Sequence, residues 1–155
     1  MIKYFVMDID GTLTDGKIYI GDNGELFKAF NVKDGYGIAN ILKSFGIEPI
    51  VITGRTSTIV EKRCRELGIN KIFQGKIEKP TVLESVLGNN DFGVCAYIGD
   101  DIPDLECMKL IKEAGGKTGC PSDAIDSIKD ICDYVSHKKA GDGAVRDFIE
   151  WVVAH

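Results

Sequence analysis

At 155 residues and 44% hydrophobic content, the chain can bury one core but not two. A net charge of −5 argues against nucleic acid as a partner, because binding a phosphate backbone needs a basic surface, and only two histidines leave acid and base work to carboxylates. No apolar run reaches the length of a membrane span and the N-terminus carries no basic region followed by a cleavable apolar stretch, so a soluble, unprocessed, cytoplasmic protein with no membrane contact is expected.

The first strand, expected near 2–8, runs into Phe5-Val6-Met7-Asp8-Ile9-Asp10-Gly11-Thr12. Side chains two apart in a strand point the same way, so Asp8 and Asp10 face one pocket if the strand extends that far. Like charges so close need a cation, a shared proton or a division of labour. A hard divalent ion such as Mg²⁺ is often held by one or two carboxylates plus a substrate phosphate. The pattern therefore predicts metal-assisted phosphoryl transfer at the end of an open α/β sheet, where such folds place their chemistry.

Residues 17–31 read as a β-hairpin, with Lys17-Ile18-Tyr19-Ile20 and Glu25-Leu26-Phe27-Lys28-Ala29-Phe30 joined through an Asn23-Gly24 turn. A lone hairpin is marginal in water. Ile18, Ile20, Leu26, Phe27 and Phe30 would expose apolar area unless a neighbouring subunit covers them or the hairpin folds back on its own domain.

A helix near 35–45 precedes a strand near 48–53, where Pro49-Ile50-Val51-Ile52 stops at Thr53-Gly54-Arg55. A hydroxyl and exposed N–H groups there can bind phosphate oxygens; equally, this is a strand-to-helix turn with Thr53 or Ser57 as the cap. The helix near 57–67 shows its stripe through Ile59, Val60, Arg63, Cys64 and Leu67, with Gly68 as its stop. A short strand near 71–73 leads to Lys76-Ile77-Glu78-Lys79, which offers two candidate lysines before a helix at 80–88, where a lysine is most often a solvated surface charge. The strand near 94–98 stops at Gly99-Asp100-Asp101, with Asp104 one turn into a helix at 101–111. A helix near 123–129, a strand near 133–135 and a helix near 143–154 complete an alternation that implies a parallel sheet covered on both faces. The five cysteines are scattered, never spaced as Cys-x-x-Cys, and read as reduced core thiols with no zinc site.

Asp8-Ile9-Asp10-Gly11-Thr12, Thr53-Gly54-Arg55, Lys79 and Gly99-Asp100-Asp101 occur in the order and spacing of the haloacid dehalogenase superfamily, which the chain resembles. Asp10 to Gly16, Asp34-Gly35-Tyr36-Gly37, Thr53-Gly54-Arg55 and Ala140-Gly141-Asp142-Gly143-Ala144-Val145-Arg146 are similar to its capless sugar-phosphate phosphatases. That subgroup acts on 3-deoxy-D-manno-octulosonate 8-phosphate, in lipopolysaccharide biosynthesis, or on nine-carbon acylneuraminate 9-phosphates. It also includes a phosphatase-like domain appended to some acylneuraminate cytidylyltransferases.

The resemblance implies a doubly wound, Rossmann-like α/β domain over 1–155, with the hairpin after the first strand, no cap domain, and assembly into a homotetramer through the hairpins. It implies Asp8 as the nucleophile forming an aspartyl-phosphate and Asp10 as the general acid and base. Mg²⁺ would be held by Asp8, Asp100 and the backbone carbonyl of Asp10. Lys79 and the Thr53 hydroxyl would supply the remaining positive field, with Thr53, Gly54, Arg55 and Lys79 binding substrate. Asp101 and Asp104 are further candidates, as ligands or as helix-start residues. Arg55 resembles the residue of the eight-carbon enzymes, where glutamate marks the nine-carbon ones; it is also readable as an exposed arginine at a turn. In the tail, Ala140 precedes Gly141 where many members have another glycine, and Asp142 adds negative charge. Two readings from other classes stand beside this one: a non-catalytic oligomerisation domain, and a phosphoacceptor receiver domain with a long-lived aspartyl-phosphate.

Overall fold

The computed structural model describes residues 1–75 and 78–155; Lys76, the second lysine candidate, lies outside the described residues. Six parallel strands form one sheet in the order β5-β4-β1-β6-β7-β8, made of β1 (Tyr4–Met7), β4 (Glu48–Ile52), β5 (Lys71–Phe73), β6 (Cys95–Ile98), β7 (Lys117–Cys120) and β8 (Tyr134–Val135). The antiparallel pair β2 (Tyr19–Gly21) and β3 (Gly24–Phe27) stands apart from it.

Strand alternation sorts the core onto two faces. Phe5, Met7, Val51, Ala96 and Ile98 turn to a face covered by the helix that begins as α1 (Val32–Tyr36), by α2 (Thr58–Glu66) and by α6 (Ala144–Ala154). Val6, Ile50, Ile52, Cys95 and Tyr97 turn to the other, under α3 (Lys79–Leu87), α4 (Ile102–Glu113) and α5 (Asp126–Lys129). The chain leaves β1 for β4 and β5 on one side and returns to β6 on the other. Neighbouring strands thus diverge at the C-terminal end of β1, the crevice where open α/β sheets bind ligands.

The expected elements are present, with three differences. Strand β7 was not apparent, because Lys117-Thr118-Gly119-Cys120 has neither an apolar run nor β-branched enrichment. Gly119 sits there because a Cβ would lie 2.4 Å from the Phe148 ring, so the bare backbone is what lets α6 close on the sheet. The helix expected at 35–45 begins earlier, capped by the Asn31 side chain at the Lys33 N–H, and widens into a π-type turn over Gly37–Leu42. The hairpin closes over Asp22 and Asn23, with Gly21 opposite Gly24, and only Gly24 takes a positive φ, of 108°. The mirror-image hairpin turns need positive φ at the first loop residue, and type I′ at both; none of the described non-glycine residues adopts it.

The segments Asp34-Gly35-Tyr36-Gly37 and Ala140 to Arg146 meet: buried Asp34 accepts from the Arg146 N–H at 2.9 Å, serving the N-terminus of α6, whose own cap position is Gly143. Gly141 lies against Thr14 and Asp15 of its own chain. Gly119→Ala is expected to destabilise the fold by about 1–3 kcal/mol through overpacking, measured as a lower denaturation midpoint; an unchanged midpoint would show that Phe148 yields freely.

Candidate active site

The loops at the C-terminal ends of β1, β4, β5 and β6 bring together all the residues singled out by the four motifs. Asp8 and Asp10 follow β1, Thr53, Gly54 and Arg55 follow β4, Lys79 opens α3, and Asp100 and Asp101 follow β6. Asp8, Asp10, Thr53, Gly54, Arg55, Lys79 and Asp101 line one cavity of about 250 Å³ together with Pro103. A larger cleft of about 500 Å³ opens at the other end of the sheet, by Glu48, Pro49 and Gly68, and holds none of these buried acids.

The turn after β1 is held from within. The N–H groups of Thr12, Leu13 and Thr14 all donate to the Ile9 carbonyl, at 3.1, 2.9 and 3.0 Å. Gly11 has φ +85°, and a Cβ there would lie 2.2 Å from Asp100 Oδ2. Glycine is thus required both by the turn and by the carboxylate packed on it. Thr12 Oγ1 donates to Asp100 Oδ1 at 2.9 Å, which fixes the second acid against the first loop.

At the centre is Lys79, buried, whose Nζ donates to Asp8 Oδ1 at 2.9 Å and to Asp104 Oδ1 at 2.8 Å. Asp104 also accepts from Tyr97 Oη at 2.8 Å and from the N–H groups of Asp100 and Asp101 at 3.0 and 3.4 Å. Both of its oxygens are thereby engaged twice, which suits a residue that positions Lys79 and the β6–α4 loop rather than one that ligates an ion. Asp101 caps α4, accepting from the Ile102 N–H at 2.8 Å, and forms a capping box with Asp104. Both residues read as alternatives in the sequence therefore serve the helix start.

Oxygens of Asp8, Asp100 and Asp104 lie within 4.8 Å of one another. The carboxylate of Asp10 is elsewhere: its Oδ1 accepts from Lys28 Nζ at 2.6 Å. Burial, then the charges of its neighbours, push Asp8 up to about 6 despite Lys79, and Asp100 up to about 8 despite the Thr12 hydroxyl. Burial pulls the Lys79 ammonium down, but Asp104 and Asp8 outweigh it and hold its pKa above the ordinary lysine value. With Asp104 saturated, Asp8 and Asp100 are hard oxygen donors with negative charge left over, a set that fits a divalent cation.

Sequence reasoning missed Lys28 and Glu25. Both sit in the hairpin, where adjacent Leu26 and Phe27 erase the period-two pattern that would tell which side faces in. Tyr97 was missed as well, since a tyrosine in an apolar strand reads as core.

No family model matches the chain. A 3-deoxy-D-manno-octulosonate 8-phosphate phosphatase of Salmonella typhi is 41% identical over 148 residues, covering 94% of this chain and 76% of the relative. The chain belongs to that phosphatase family. The crystal structure of such a phosphatase from Moraxella catarrhalis, in complex with magnesium ion, phosphate ion and a KDO molecule, superposes with a TM-score of 0.91 at 39% identity, covering 99% of this chain and 86% of that one. A haloacid dehalogenase superfamily (subfamily III A) hydrolase of Legionella pneumophila gives a TM-score of 0.88 at 33% identity, over 99% and 82% of the two chains. The family is one of phosphoric monoester hydrolases, and its superfamily is the one that the four motifs resemble.

The raised acids make stability depend on pH and on a cation. A carboxyl whose folded pKa lies above its unfolded value of 3.8 stabilises the fold fully below that value, and the contribution is lost as pH rises through about 6 for Asp8 and about 8 for Asp100. Metal-free protein is therefore expected to melt at progressively lower temperature between pH 4 and 8 on account of this pair. Because a cation competes with these protons, Mg²⁺ should raise the melting temperature more at pH 8 than at pH 6. An equal rise at both pH values in differential scanning fluorimetry would contradict the assignment of Asp8 and Asp100 as ligands.

Proposed function

We propose that the protein is a Mg²⁺-dependent phosphatase that hydrolyses 3-deoxy-D-manno-octulosonate 8-phosphate through an aspartyl-phosphate. The observation that carries this is the Asp8 carboxylate, held by a buried lysine beside Asp100, with a second and separately held carboxylate, Asp10, on the same cavity. Two acids with different partners at one site is the arrangement that lets one attack and the other move protons.

In the first step Asp8 attacks phosphorus while Asp10 protonates the departing sugar oxygen. In the second, Asp10 takes a proton from the water that cleaves the acyl phosphate. A phosphate dianion repels an attacking carboxylate, so stabilisation must come mostly from positive charge around the transferred group. Lys79 supplies part of it, and the Thr53 hydroxyl and the loop N–H groups orient the oxygens. Asp8, Asp100 and the Asp10 backbone carbonyl would hold Mg²⁺, whose charge offsets that of the phosphoryl oxygens when it is bound.

The Arg55 side chain, 49% exposed, is tied among the described residues only to Glu25 at 3.9 Å, and so is available to the carboxylate of an acid sugar. The domain is read as capless over 1–155, and as a cytoplasmic enzyme. No helix among the described residues is long and apolar enough to cross a membrane. Ile18, Ile20, Leu26 and Phe27 are exposed on the hairpin, which supports assembly into a homotetramer with the hairpins in its interface. Phe30 is instead partly buried against the core.

Phosphate release should require Mg²⁺ and should favour 3-deoxy-D-manno-octulosonate 8-phosphate over an acylneuraminate 9-phosphate and an aryl phosphate. A preference for the nine-carbon ester would keep the mechanism and remove Arg55 as the selector; no release from any ester would favour the oligomerisation domain. Asp8→Asn, which keeps volume, is expected to abolish turnover with a near-native melting temperature, and substantial residual activity would defeat the covalent route. Light scattering should give the mass of four chains; a monomer would refute the assembly.

A further inference from the structure

The hairpin is folded against its own hydrophobicity. In β3 and the residue after it, Leu26 and Phe27 are 64% and 52% exposed, whereas the side chains of Glu25 and Lys28 are 20% and 3% exposed. Lysine is almost never so buried unless paired. A segment that turns its charges inward and its apolar residues outward has been arranged for something other than local packing.

The charges form a chain of contacts. Lys28 Nζ lies 2.6 Å from Asp10 Oδ1 and 2.9 Å from Glu25 Oε2. Glu25 Oε1 accepts from Ser57 Oγ at 2.7 Å, tying the hairpin to the loop that carries Thr53, Gly54 and Arg55. Burial pulls the Lys28 ammonium down, but Asp10 and Glu25 outweigh it and keep the group cationic. Among the described residues no hydrogen bond reaches Asp10 Oδ2, and Asp10 lines the cavity.

We infer that Lys28 is the positioning residue for Asp10, a role that rests on the proposed acid–base function of Asp10. By taking Oδ1, Lys28 fixes the carboxyl plane and leaves Oδ2 for the leaving group. As the bond from Asp8 to phosphorus forms and the bond from phosphorus to the sugar oxygen breaks, the proton on Oδ2 passes to that oxygen. The carboxylate left behind is met by the Lys28 ammonium. A charge-assisted hydrogen bond to a carboxylate is stronger than one to a neutral acid, so the contact strengthens as Asp10 gives up its proton. Glu25 holds Lys28 in place and leaves the pair electrically balanced.

A leaving group that needs no proton separates this role from simple fastening. The full chain and its Lys28→Met variant are compared by kcat/KM on 3-deoxy-D-manno-octulosonate 8-phosphate and on 4-nitrophenyl phosphate, whose nitrophenolate departs unprotonated. The expected drop on the sugar phosphate is about 100-fold, within the range of general acid–base catalysis. It should exceed the drop on the aryl ester by about tenfold or more, and Lys28→Arg, which keeps the charge, should recover most of it. Equal drops on the two esters would overturn the proposal and make Lys28 a fastener of the hairpin. If Lys28→Met does not fold, Glu25→Gln is put through the same comparison, and there too a loss without leaving-group dependence overturns it. Wild-type protein inert toward both esters would sink the phosphatase reading itself, and the role of Lys28 with it.

Discussion

The buried Lys79 ammonium, shared between Asp8 and Asp104 at 2.9 and 2.8 Å, is the interaction on which the rest of the site depends. Three carboxylates meet at the ends of β1 and β6, in a crevice where burial weakens solvent screening of their mutual repulsion. Removing one partner of such a buried pair typically costs about 3–5 kcal/mol, because it strands a charge. One lysine cannot neutralise three acids, however, and burial, together with this uncompensated charge, raises the proton affinity of Asp8 and Asp100. The same deficit that would destabilise an inert domain here creates the demand for a second cation, so the fold's electrostatic weakness and its capacity for a metal have one cause.

Asp104 shows how the sheet enforces this. It lies one turn into α4, yet its carboxylate reaches back to the N–H groups of Asp100 and Asp101 and across to Tyr97 Oη and Lys79. A helix start, a strand residue of the neighbouring core and the buried lysine are thereby fixed to one group. Position in the motif alone does not reveal this, since an acid at that place is sufficiently explained by helix capping. The network becomes visible only when Tyr97, facing the α3–α4 side of the sheet, is seen to point its hydroxyl at the same oxygen.

What was legible in the sequence is what repeats a local rule. Apolar runs closed by polar residues located β1, β4 and β6, and the residues at their ends are those that line the cavity. Lys79 and Pro80 marked the start of α3. What was not legible depends on contacts between distant segments. Strand β7 is written with a glycine because Phe148 lies on it, and no feature within Lys117–Cys120 announces that neighbour. Asp34 is part of a segment shared with the family, and only the structure shows it to be the remote acceptor for α6. The sequence around Lys28 has no clean alternation to give its direction, and in the structure its side chain turns in to meet Asp10.

The charged and the apolar residues of the hairpin have to be understood together. Glu25 and Lys28 make the contacts that reach Asp10, whereas Ile20, Leu26 and Phe27 are exposed to solvent. An isolated two-stranded ribbon has little stability of its own, and the charge contacts through Asp10 and Ser57 are few. A neighbouring chain covering the exposed residues would supply the apolar burial that the ribbon lacks, at about 25 cal/mol per Å², and would hold the charges against the site. In the proposed tetramer, assembly and acid–base positioning are then a single requirement. In that assembly a hairpin packed from outside would hold Asp10 in place, giving the exposed Leu26 and Phe27 and the inward Lys28 side chain, which lie within the same few residues, one shared role.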